Sequence, residues 1–474
     1  MRRVLKSLVV AQVMWLLSLL IYFKKRPVIA DTRPEKTDVE LRISSDTCAR
    51  LGSLCSYRYT GRQRYDPSCS LSGSSEAMDE MRIAMLSWES LHSICVGGVG
   101  VHVTELGAAL ERKGHEVHVF TRMGLGQGHY DRIDGVHHHR CPFDLQPNFV
   151  DEVNNMCRSF VHHLFQTEDH IGPFDVIHAH DWLAGNALIW IKQGRRRKSV
   201  LTLHSTEYGR CGNNFWSGQS ARIREQERST TYWADRVIAV SNHLRDEIMW
   251  MYEVPYWKVT TVYNGVNVRN YDGMVDPGDV KRRYQIGPMD PMVLFSGRMV
   301  YQKGPDLLVK AIPAILRFYP NAKFVFAGDG EMRGQVENGA RQLGISHAVR
   351  FLGFQRNGTL TDLYKACDVV CVPSRNEPFG IVLLEAWSCC KPVVSTVNGG
   401  PAEFVWHEVN GLKVYANPDS IAWGLGTLFT NFEWARWMGR NGRVAVEKAF
   451  SWDTIADQVL GVYGNVESAR GAAA

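Results

Sequence analysis

The sequence has little of what marks a disulfide framework or a nucleic-acid-binding protein. Its 474 residues include eleven cysteines but no C-x-x-C pair, and Cys389 and Cys390 are adjacent. Scattered cysteines are typical of small buried side chains in a reducing compartment, although three upstream cysteines could pair in an oxidising lumen. Zinc-finger spacing, RNP-like motifs and long basic helices are absent. Because the formal net charge is only +5, nucleic acid is not an expected partner.

Residues 4–23 are apolar apart from four positions and are flanked by basic residues on both sides. The length reaches the ~20 residues that a membrane helix needs, and Trp15 and Tyr22 suit the membrane interface. A cleaved signal peptide is the alternative, but no small-x-small cleavage site follows directly. We therefore predict a single-pass anchor within residues 1–26 and a polar stem at residues 27–80. The catalytic body is expected in the cytosol, with a lumenal position left open.

From residue 81 onward, short apolar segments alternate with stretches of helical spacing. The predicted strands are MRIAMLSW (81–88), EVHVFT (116–121), DVIHAH (175–180), VLTLH (200–204), RVIAVS (236–241), MVLFSG (292–297), KFVFAG (323–328), VRFLG (349–353), VVCVP (369–373) and PVVST (392–396). Strands that alternate with helices predict parallel sheets with crossover helices. A polar stretch around residues 270–288 separates two series of strands. We therefore predict two doubly wound α/β domains, residues 81–280 and 281–450, followed by a crossing helix and tail at residues 451–474.

Glycines and basic residues follow two of the predicted strands, where doubly wound sheets bind their ligands. The glycine-rich residues 97–100 lie between a strand and a helix, so their backbone can approach a phosphate. A tight turn explains these glycines nearly as well. Arg298 and Lys303 follow the strand at residues 292–297. A guanidinium and an ammonium at one strand end can neutralise a diphosphate, and two solvated loop cations are the alternative.

Two glutamates lie in the segment that follows the strand at residues 369–373. Glu377 is predicted in a loop over the cleft, and Glu385 on the helix that starts near Phe379 and Gly380. The backbone N–H groups of Phe379, Gly380 and Ile381 would meet an anion at this helix start. One carboxylate could hold hydroxyls of a donor sugar and the other the ribose. The alternative is a turn residue and a surface charge.

The span from about residue 81 to residue 463 resembles retaining glycosyltransferases of family four, in the glycosyltransferases group 1 superfamily. The residues that carry the resemblance are Gly97-Gly98-Val99-Gly100, Asn264-Gly265-Val266, Gly297-Arg298, Lys303-Gly304, Gly328-Asp329-Gly330, and Glu377 with Glu385. The family motif has two glutamates separated by seven residues, as here. The resemblance implies the GT-B architecture, in which two Rossmann-like doubly wound domains face a cleft.

The resemblance also implies a role for each residue. Arg298 and Lys303 would bind the donor diphosphate, and Gly98 would bring the backbone to the phosphate. Glu377 would contact the transferred sugar, and Glu385 would hold the ribose hydroxyls. The family retains the anomeric configuration through a front-face substitution in which the leaving phosphate helps to deprotonate the acceptor. It needs no metal, and the sequence has no D-x-D motif, so the nucleoside-diphosphate sugar is expected without a metal or cofactor.

His204, at the end of the strand at residues 200–204, matches the family's active-site histidine. A histidine there could donate to a sugar hydroxyl or line the site near the anomeric carbon. Residues 205–210 resemble the TEYGR segment of glycogen-synthase-like members, which points to an α-glucan product. A histidine satisfied at a strand end is the alternative for His204.

Other histidines follow or lie in predicted strands. His178, His180 and Asp181 are expected to make polar contacts in the cleft, and a metal site is the alternative because no further ligand is evident. The three histidines at residues 137–139 are expected in an exposed loop or strand, again with metal binding as the alternative.

Two rival functions fit part of this pattern. A nucleotide-sugar epimerase of the same fold also binds a diphosphate between two domains, but it does not need a membrane anchor. A non-catalytic sugar-nucleotide-binding or glycan-binding protein would not need all the residues of the predicted site. The sequence therefore favours a retaining hexosyltransferase, with a nucleotide sugar as donor and a glycan, lipid or small molecule as acceptor.

Overall fold

The computed structural model describes residues 79–471. The predicted anchor at residues 4–23, and the stem up to residue 78, lie outside the described residues. No helix between residues 79 and 471 is long and apolar enough to cross a membrane. The described chain forms two α/β domains, each built on its own sheet.

Between residues 82 and 261, eight strands form the sheet of the first domain. They are β1 (Arg82–Ser87), β2 (Glu116–Arg122), β3 (Tyr130–Ile133), β4 (Val136–Cys141), β5 (Val176–His180), β6 (Lys198–Leu203), β7 (Arg236–Ala239) and β8 (Val259–Thr261). The spatial order is β3-β4-β2-β1-β5-β6-β7-β8, and all neighbours are parallel except β3 and β4. The chain changes its winding direction at β1, which creates a switch point beside β5.

Between residues 292 and 414, six strands form the second sheet. They are β9 (Met292–Ser296), β10 (Lys323–Ala327), β11 (Val349–Gly353), β12 (Val369–Val372), β13 (Val393–Thr396) and β14 (Gly411–Val414). Their order is β11-β10-β9-β12-β13-β14, with parallel pairing throughout. Here the switch point lies between β9 and β12.

Helices connect the strands in both domains. In the first domain they are Gly98–Arg112, Phe149–Ile171, Gly185–Arg195, Glu207–Arg210, Gln219–Trp233 and Asn242–Tyr252. The later helices are Pro277–Arg283, Pro305–Leu316, Arg333–Gln342, Asn357–Ala366, Ile381–Ser388, Pro401–Phe404, Pro418–Thr430, Phe432–Ala449 and Trp452–Gly471. Short 3₁₀ turns occur at Trp182–Ala184, Tyr256–Lys258, Val268–Tyr271 and Tyr301–Lys303.

The central strands are apolar on both sides because both faces of each sheet are covered. In β1, Ile83 and Met85 pack into the cluster on one face, while Ala84 and Leu86 belong to the cluster on the other. All four are fully buried. Alternation along a strand sends successive side chains to opposite faces, so a doubly covered strand reads as a continuous apolar run.

The predicted α/β class with two doubly wound domains is confirmed, and each predicted strand lies within two residues of its predicted bounds. The prediction missed β3, β8 and β14. It left residues 137–139 as an exposed loop or strand, and the structure places them in β4 with His138 buried rather than exposed. β3, β8 and β14 are sheet edges of three or four residues, and β4 is the polar sequence VHHHRC beside the β3 edge. Short or edge strands do not need the apolar runs that reveal central strands.

The last helix, Trp452–Gly471, packs on the first domain after the chain has completed the second. Ser451 caps its start, where its Oγ accepts from the backbone N–H of Thr454 at 3.1 Å. Arg112 and Lys113 form ion pairs with Asp453 and Asp457 of this helix, at 2.7 and 2.6 Å. Its apolar face joins the cluster that contains Val103 and Leu106.

The chain passes between the domains twice at the same place. The backbone N–H of Val266 donates to the carbonyl oxygen of Phe450 at 2.9 Å. A Cβ atom on Gly265 would lie 2.8 Å from the Trp452 ring and 3.1 Å from that same carbonyl oxygen. Glycine at residue 265 therefore permits the two connections to touch.

Candidate active site

Loops from the carboxyl ends of the two sheets meet between the domains. The side-chain amide of Asn376, after β12, donates to Asn213 of the first domain at 2.9 Å. A Cβ atom on Gly98 would lie 3.0 Å from Cδ1 of Ile381, the first residue of the helix after β12. Two helix starts, one from each domain, thus face each other across a cleft at the switch points.

Glu89 forms hydrogen bonds with the start of the glycine-rich loop, on the first-domain side of the cleft. Its buried carboxylate accepts from the backbone N–H groups of Val96 and Gly97, at 2.5 and 2.7 Å. Burial raises the pKa of this carboxyl group, although both backbone donors oppose the rise. The sequence prediction missed Glu89; its signal was an acidic residue just after a buried strand and before a run of glycines.

Glu377 is buried and paired with Lys303. The Lys303 ammonium lies 2.7 Å from Oε1 and 2.8 Å from Oε2, and Ser374 donates to Oε2 at 2.8 Å. Glu377 lies in the turn between β12 and the helix Ile381–Ser388, and it is only 3% exposed because Lys303 and Ser374 cover its carboxylate. The sequence pattern predicts the loop but does not reveal the Lys303 partner, which lies 74 residues upstream.

Two glycines hold the Glu377 turn in place. Gly399 has φ +108°, and a Cβ atom there would lie 2.1 Å from the carbonyl oxygen of Glu377. The backbone N–H of Gly400 donates to that same oxygen at 2.8 Å, and the N–H of Glu377 donates to Asn398 at 3.0 Å. The main chain around Glu377 is therefore fixed by the loop that follows β13.

Glu385 lies in the helix Ile381–Ser388 and is held by two phenols. The Tyr364 hydroxyl donates to its Oε2 at 2.6 Å, and Tyr271 forms a second side-chain hydrogen bond. Burial raises the pKa of this carboxyl group, although both phenols lower it in part. Glu385 is therefore not the surface charge that was the alternative for this position.

The turn before this helix offers backbone rather than side-chain groups. Phe379 is buried, with its ring 4.9 Å from that of Phe404. Gly380 has φ +93°, and the helix begins at Ile381, one or two residues later than predicted. Since first-turn N–H groups have no acceptor within their own helix, the backbone at Ile381 can meet an anion.

Arg298 is exposed, and its side chain forms no hydrogen bond or ion pair with any residue described between 79 and 471. It follows β9 in the second domain, yet its charge lowers the pKa values of Glu89 and Asp181, which belong to the first. Burial is the larger effect on Asp181 and raises its pKa to about 6. Among the described residues, the Arg298 guanidinium therefore has no partner of its own, and it is close enough to the first-domain side of the cleft for its charge to act there.

Three histidines from separate segments line the first-domain side. His102 Nδ1 lies 2.6 Å from Oδ1 of Asn264, and His180 Nδ1 lies 3.2 Å from His204 Nε2. The His102 and His204 rings are 4.6 Å apart. Burial lowers the pKa of His204 to about 3, and the pKa values of His102 and His180 also fall, so all three imidazoles are neutral at pH 7. The backbone N–H of His204 donates to Oδ1 of Asp181 at 2.7 Å.

Of the residues His178, His180 and Asp181, which were predicted to make polar contacts in the cleft, His178 lies elsewhere. His178 bonds to the Tyr463 hydroxyl and to Thr202, both at 2.7 Å, so it anchors the last helix rather than facing the cleft. One ligand atom each of His102, His180 and His204 lies within 4.8 Å of the others. These three, rather than Asp181, are the residues that could hold a metal in the cleft.

The glycogen-synthase-like segment at residues 205–210 forms a charge network. Arg210 lies 2.5 Å from the buried carboxylate of Glu227 and 3.1 Å from Glu207. Thr206 caps the short helix by accepting from the N–H of Gly209 at 3.1 Å. The two charged residues of this segment, Glu207 and Arg210, are therefore paired with each other, and Arg210 also pairs with Glu227.

The structure brings most predicted site residues together. Gly98, Ile381 and the Lys303–Glu377 pair belong to loops that meet between the domains, and Arg298 acts across the same gap. The prediction missed Glu89 and His102. His102 lies one turn into the helix that follows the glycines, a position that gives it the same direction as Gly98.

Comparisons with known proteins agree across both domains. Residues 96–270 match glycosyltransferase family 4, and residues 279–445 match glycosyl transferases group 1. An uncharacterized glycosyltransferase from Methanocaldococcus jannaschii is 40% identical over 81% of this chain and 98% of its own length. Glycogen synthase from Mycobacterium tuberculosis is 28% identical over 81% of this chain and 94% of its own.

Solved structures share the fold. Sucrose-phosphate synthase from Thermosynechococcus elongatus has a TM-score of 0.71 at 24% identity, over 82% of this chain and 100% of that chain. Anabaena HepE in complex with UDP and glucose has a TM-score of 0.66 at 21% identity, over 81% of this chain and 100% of that chain. These likenesses show the two-domain GT-B fold. The family matches and the relative at 40% identity establish that this chain belongs to glycosyltransferase family four of the glycosyltransferases group 1 superfamily.

Proposed function

We propose that this glycosyltransferase takes its sugar from a nucleoside-diphosphate sugar bound between the domains. The observation that carries the proposal is the meeting of two helix starts, at Gly98 and Ile381. The Arg298 side chain, which pairs with none of the described residues, acts electrostatically on Glu89 beside the first of them. Helix starts and a guanidinium are complementary to a diphosphate. The UDP and glucose complex of Anabaena HepE, which has the same fold, supports this choice of donor.

Lys303 is proposed to serve both the diphosphate and Glu377. An ammonium has three N–H donors, and the two carboxylate oxygens of Glu377 accept from two of those of Lys303. One donor is left for a phosphate oxygen, so the pair can stay intact when the donor binds. Glu377 is then held in place to contact hydroxyls of the transferred sugar, and Ser374 fixes its second oxygen.

Glu385 is proposed to accept from the ribose hydroxyls. Tyr364 occupies one side of Oε2, and the carboxylate has further lone pairs to offer. The two phenols orient the carboxylate before the nucleotide arrives, which lowers the entropy cost of binding.

Transfer is proposed to retain the anomeric configuration and to need no metal. The leaving phosphate would take the acceptor proton, while Arg298 and Lys303 balance the charge on the departing nucleotide. Neutral His204 would donate to or accept from a sugar hydroxyl near the anomeric carbon. Proton NMR of the new glycosidic linkage tests retention: with an α-linked donor the transferred sugar should be α-linked to the acceptor, and a β-linkage contradicts the proposal.

Thermal-shift measurements with UDP-, GDP-, ADP- and TDP-sugars test the donor class. A true donor stabilises the folded protein by RT ln(1 + [L]/Kd), or about 2.7 kcal/mol at one hundred times Kd. We expect one base to raise the melting temperature well above the others, and radiolabelled sugar from that donor to appear on an acceptor. If no nucleotide sugar shifts the melting temperature, the proposed donor site is wrong.

The proposed acceptor is an α-glucan, among the glycan, lipid and small-molecule classes that the family resemblance leaves open. The segment at residues 205–210 and a relative named glycogen synthase support this choice. With the best donor, we expect transfer to malto-oligosaccharides of several lengths. Transfer to lipid extracts or small alcohols, without transfer to glucans, would contradict it.

An epimerase is not favoured, because the family matches describe glycosyltransferases over both domains. A donor labelled in both sugar and base separates the two functions. Transfer moves the sugar label from the nucleotide onto the acceptor, whereas epimerisation keeps both labels together.

Residues 4–23 are proposed to anchor the enzyme to a membrane, with the catalytic body in the cytosol. The proposal rests on the apolar length of the segment and its basic flanks. Protease digestion of sealed vesicles from the native host tests it. A digested catalytic body in the membrane fraction supports the proposal, and a protected body places the enzyme in a lumen.

A further inference from the structure

A second group of imidazoles lies on the sheet of the first domain, outside the cleft. His118 is in β2, and its register partner in the parallel neighbour β4 is His137. Glu116 precedes His118 by two residues and therefore projects from the same face of β2. His139 follows on that face of β4, with its ring 5.1 Å from that of His118.

The polar atoms of three of these side chains converge. Nε2 of His118 lies 2.9 Å from Oε1 of Glu116, and the His118 and His137 rings stack at 4.3 Å with an interplanar angle of 3°. One ligand atom each of Glu116, His118 and His137 lies within 4.8 Å of the others. A zinc ion bound at 2.0–2.2 Å needs ligand atoms roughly 3–4 Å apart, so the stacked His118 and His137 rings would have to turn out of their parallel arrangement for both Nε2 atoms to face one ion.

The remaining polar atoms of the same side chains are already engaged. His118 Nδ1 lies 2.9 Å from His139 Nε2, and His137 Nδ1 lies 2.8 Å from the Tyr130 hydroxyl. Oε2 of Glu116 accepts from Arg82 at 2.9 Å. Among the described residues, Nε2 of His137 then has no hydrogen-bond partner, while Nε2 of His118 and Oε1 of Glu116 are bonded only to each other, in a contact that a bound ion would replace. Metal-binding histidines and carboxylates are commonly oriented by such outer contacts.

The tautomer of His118 decides which of its ring nitrogens can bind a metal. Nε2 keeps a lone pair when Nδ1 carries the proton and donates it to Nε2 of His139, at 2.9 Å. In that tautomer His118 no longer donates to Oε1 of Glu116, so both atoms can face one ion.

We propose that Glu116, His118 and His137 bind one divalent transition-metal ion, with zinc as the metal whose usual ligand set this is. The ion would link β2 to β4 and so fasten the outer edge of the first sheet. His137 is half-buried, which gives the site an entry path from solvent. Its ligands lie within or at the start of strands, whereas the cleft histidines occupy a helix and strand ends, so the two groups are separate.

Zinc titration of the tag-free, chelator-stripped full-length protein, in competition with a chromophoric chelator, tests the proposal. His137→Gln removes a half-exposed ligand with little loss of packing, and Glu116→Gln is the second variant. His347→Gln, an exposed histidine in the second domain, is the matched control, and His204→Asn tests the cleft group. Circular dichroism without zinc checks that each variant is folded.

We expect wild type to bind one zinc ion, and His137→Gln and Glu116→Gln each to lower the affinity for that ion by more than tenfold. Both variants should also lose the rise in melting temperature that zinc causes in wild type. His347→Gln and His204→Asn should retain both. Wild-type affinity in both site variants would overturn the proposal, as would loss of the zinc equivalent only in His204→Asn. Transfer activity should be unchanged in His137→Gln.

Discussion

On the first-domain side of the cleft, His102, His180 and His204 are neutral and contact one another or Asn264. On the second-domain side, Lys303 and Glu377 are charged and paired, and Arg298 is exposed. The difference follows from solvation: a buried imidazole can lose its proton, whereas the buried carboxylate of Glu377 is stabilised by the cation of Lys303. Charge neutralisation of a donor diphosphate is thus expected on one side, and hydrogen bonding to uncharged hydroxyls on the other.

The largest expected effect is that of Glu377→Gln, which removes the charged group closest to the proposed sugar position. We expect kcat with the best donor to fall by about 10²–10³-fold. Melting temperature should also fall, because Lys303 and Ser374 lose an ionised partner that is 3% exposed. Steady-state kinetics and thermal melts check both effects. Near-normal turnover would show that the second-domain charges do not act on the sugar.

Arg298→Ala and Lys303→Ala compare a free with a paired cation. Each should weaken nucleoside-diphosphate binding by about 1.5–3 kcal/mol, roughly ten- to a hundredfold, but leave binding of the bare nucleoside unchanged. Only Lys303→Ala should lower the melting temperature, because it strands Glu377 without its partner. Titration calorimetry and thermal melts separate the two. Unchanged diphosphate affinity in both variants would mean that these residues are only loop charges.

The neutral histidines predict an acid sensitivity with a definite sign. His204 has a folded pKa of about 3 against an ordinary 6.5, so between these values the unfolded chain binds a proton that the folded chain does not. Its contribution to stability is complete above pH 6.5 and is lost as the pH falls toward 3. The melting temperature of both proteins should fall between pH 7 and pH 5. In His204→Asn the fall should be smaller than in wild type by roughly 2–4 °C, because the variant lacks this imidazole.

The matched variant for that comparison is His347→Asn, whose imidazole is exposed and should change nothing. Equal acid sensitivity in wild type and His204→Asn would mean that the cleft histidine is as solvated as an ordinary one.

The smallest expected effect is that of EDTA on transfer, which should be absent. Arg298 and Lys303 can neutralise the diphosphate without a metal, and the proposed zinc site is outside the cleft. Initial rates before and after chelation check this expectation. If chelation abolishes transfer and zinc restores it in His137→Gln as well, His102, His180 and His204 hold a functional metal.

The sequence could predict features that depend on local order along the chain. Apolar runs located the central strands, and the spacing of Glu377 and Glu385 located the second-domain loop and helix. The Lys303–Glu377 pair and the meeting of His102 with His204 could not be predicted, because each joins segments more than 70 residues apart. The β4 histidines were ambiguous because their segment is polar and has no apolar run, so only pairing with β2 shows that they belong to a sheet.

The return of the last helix to the first domain makes the second domain an insertion in the first, joined by two adjacent connections. Val266 lies in one connection and Phe450 in the other, and the hydrogen bond between their backbones holds the two connections together. A chain that stops before residue 452 would keep every strand of both sheets, yet it would uncover the apolar cluster around Val103 and Leu106. Truncation at the carboxyl terminus is therefore expected to unfold or aggregate the half of the enzyme that is translated first.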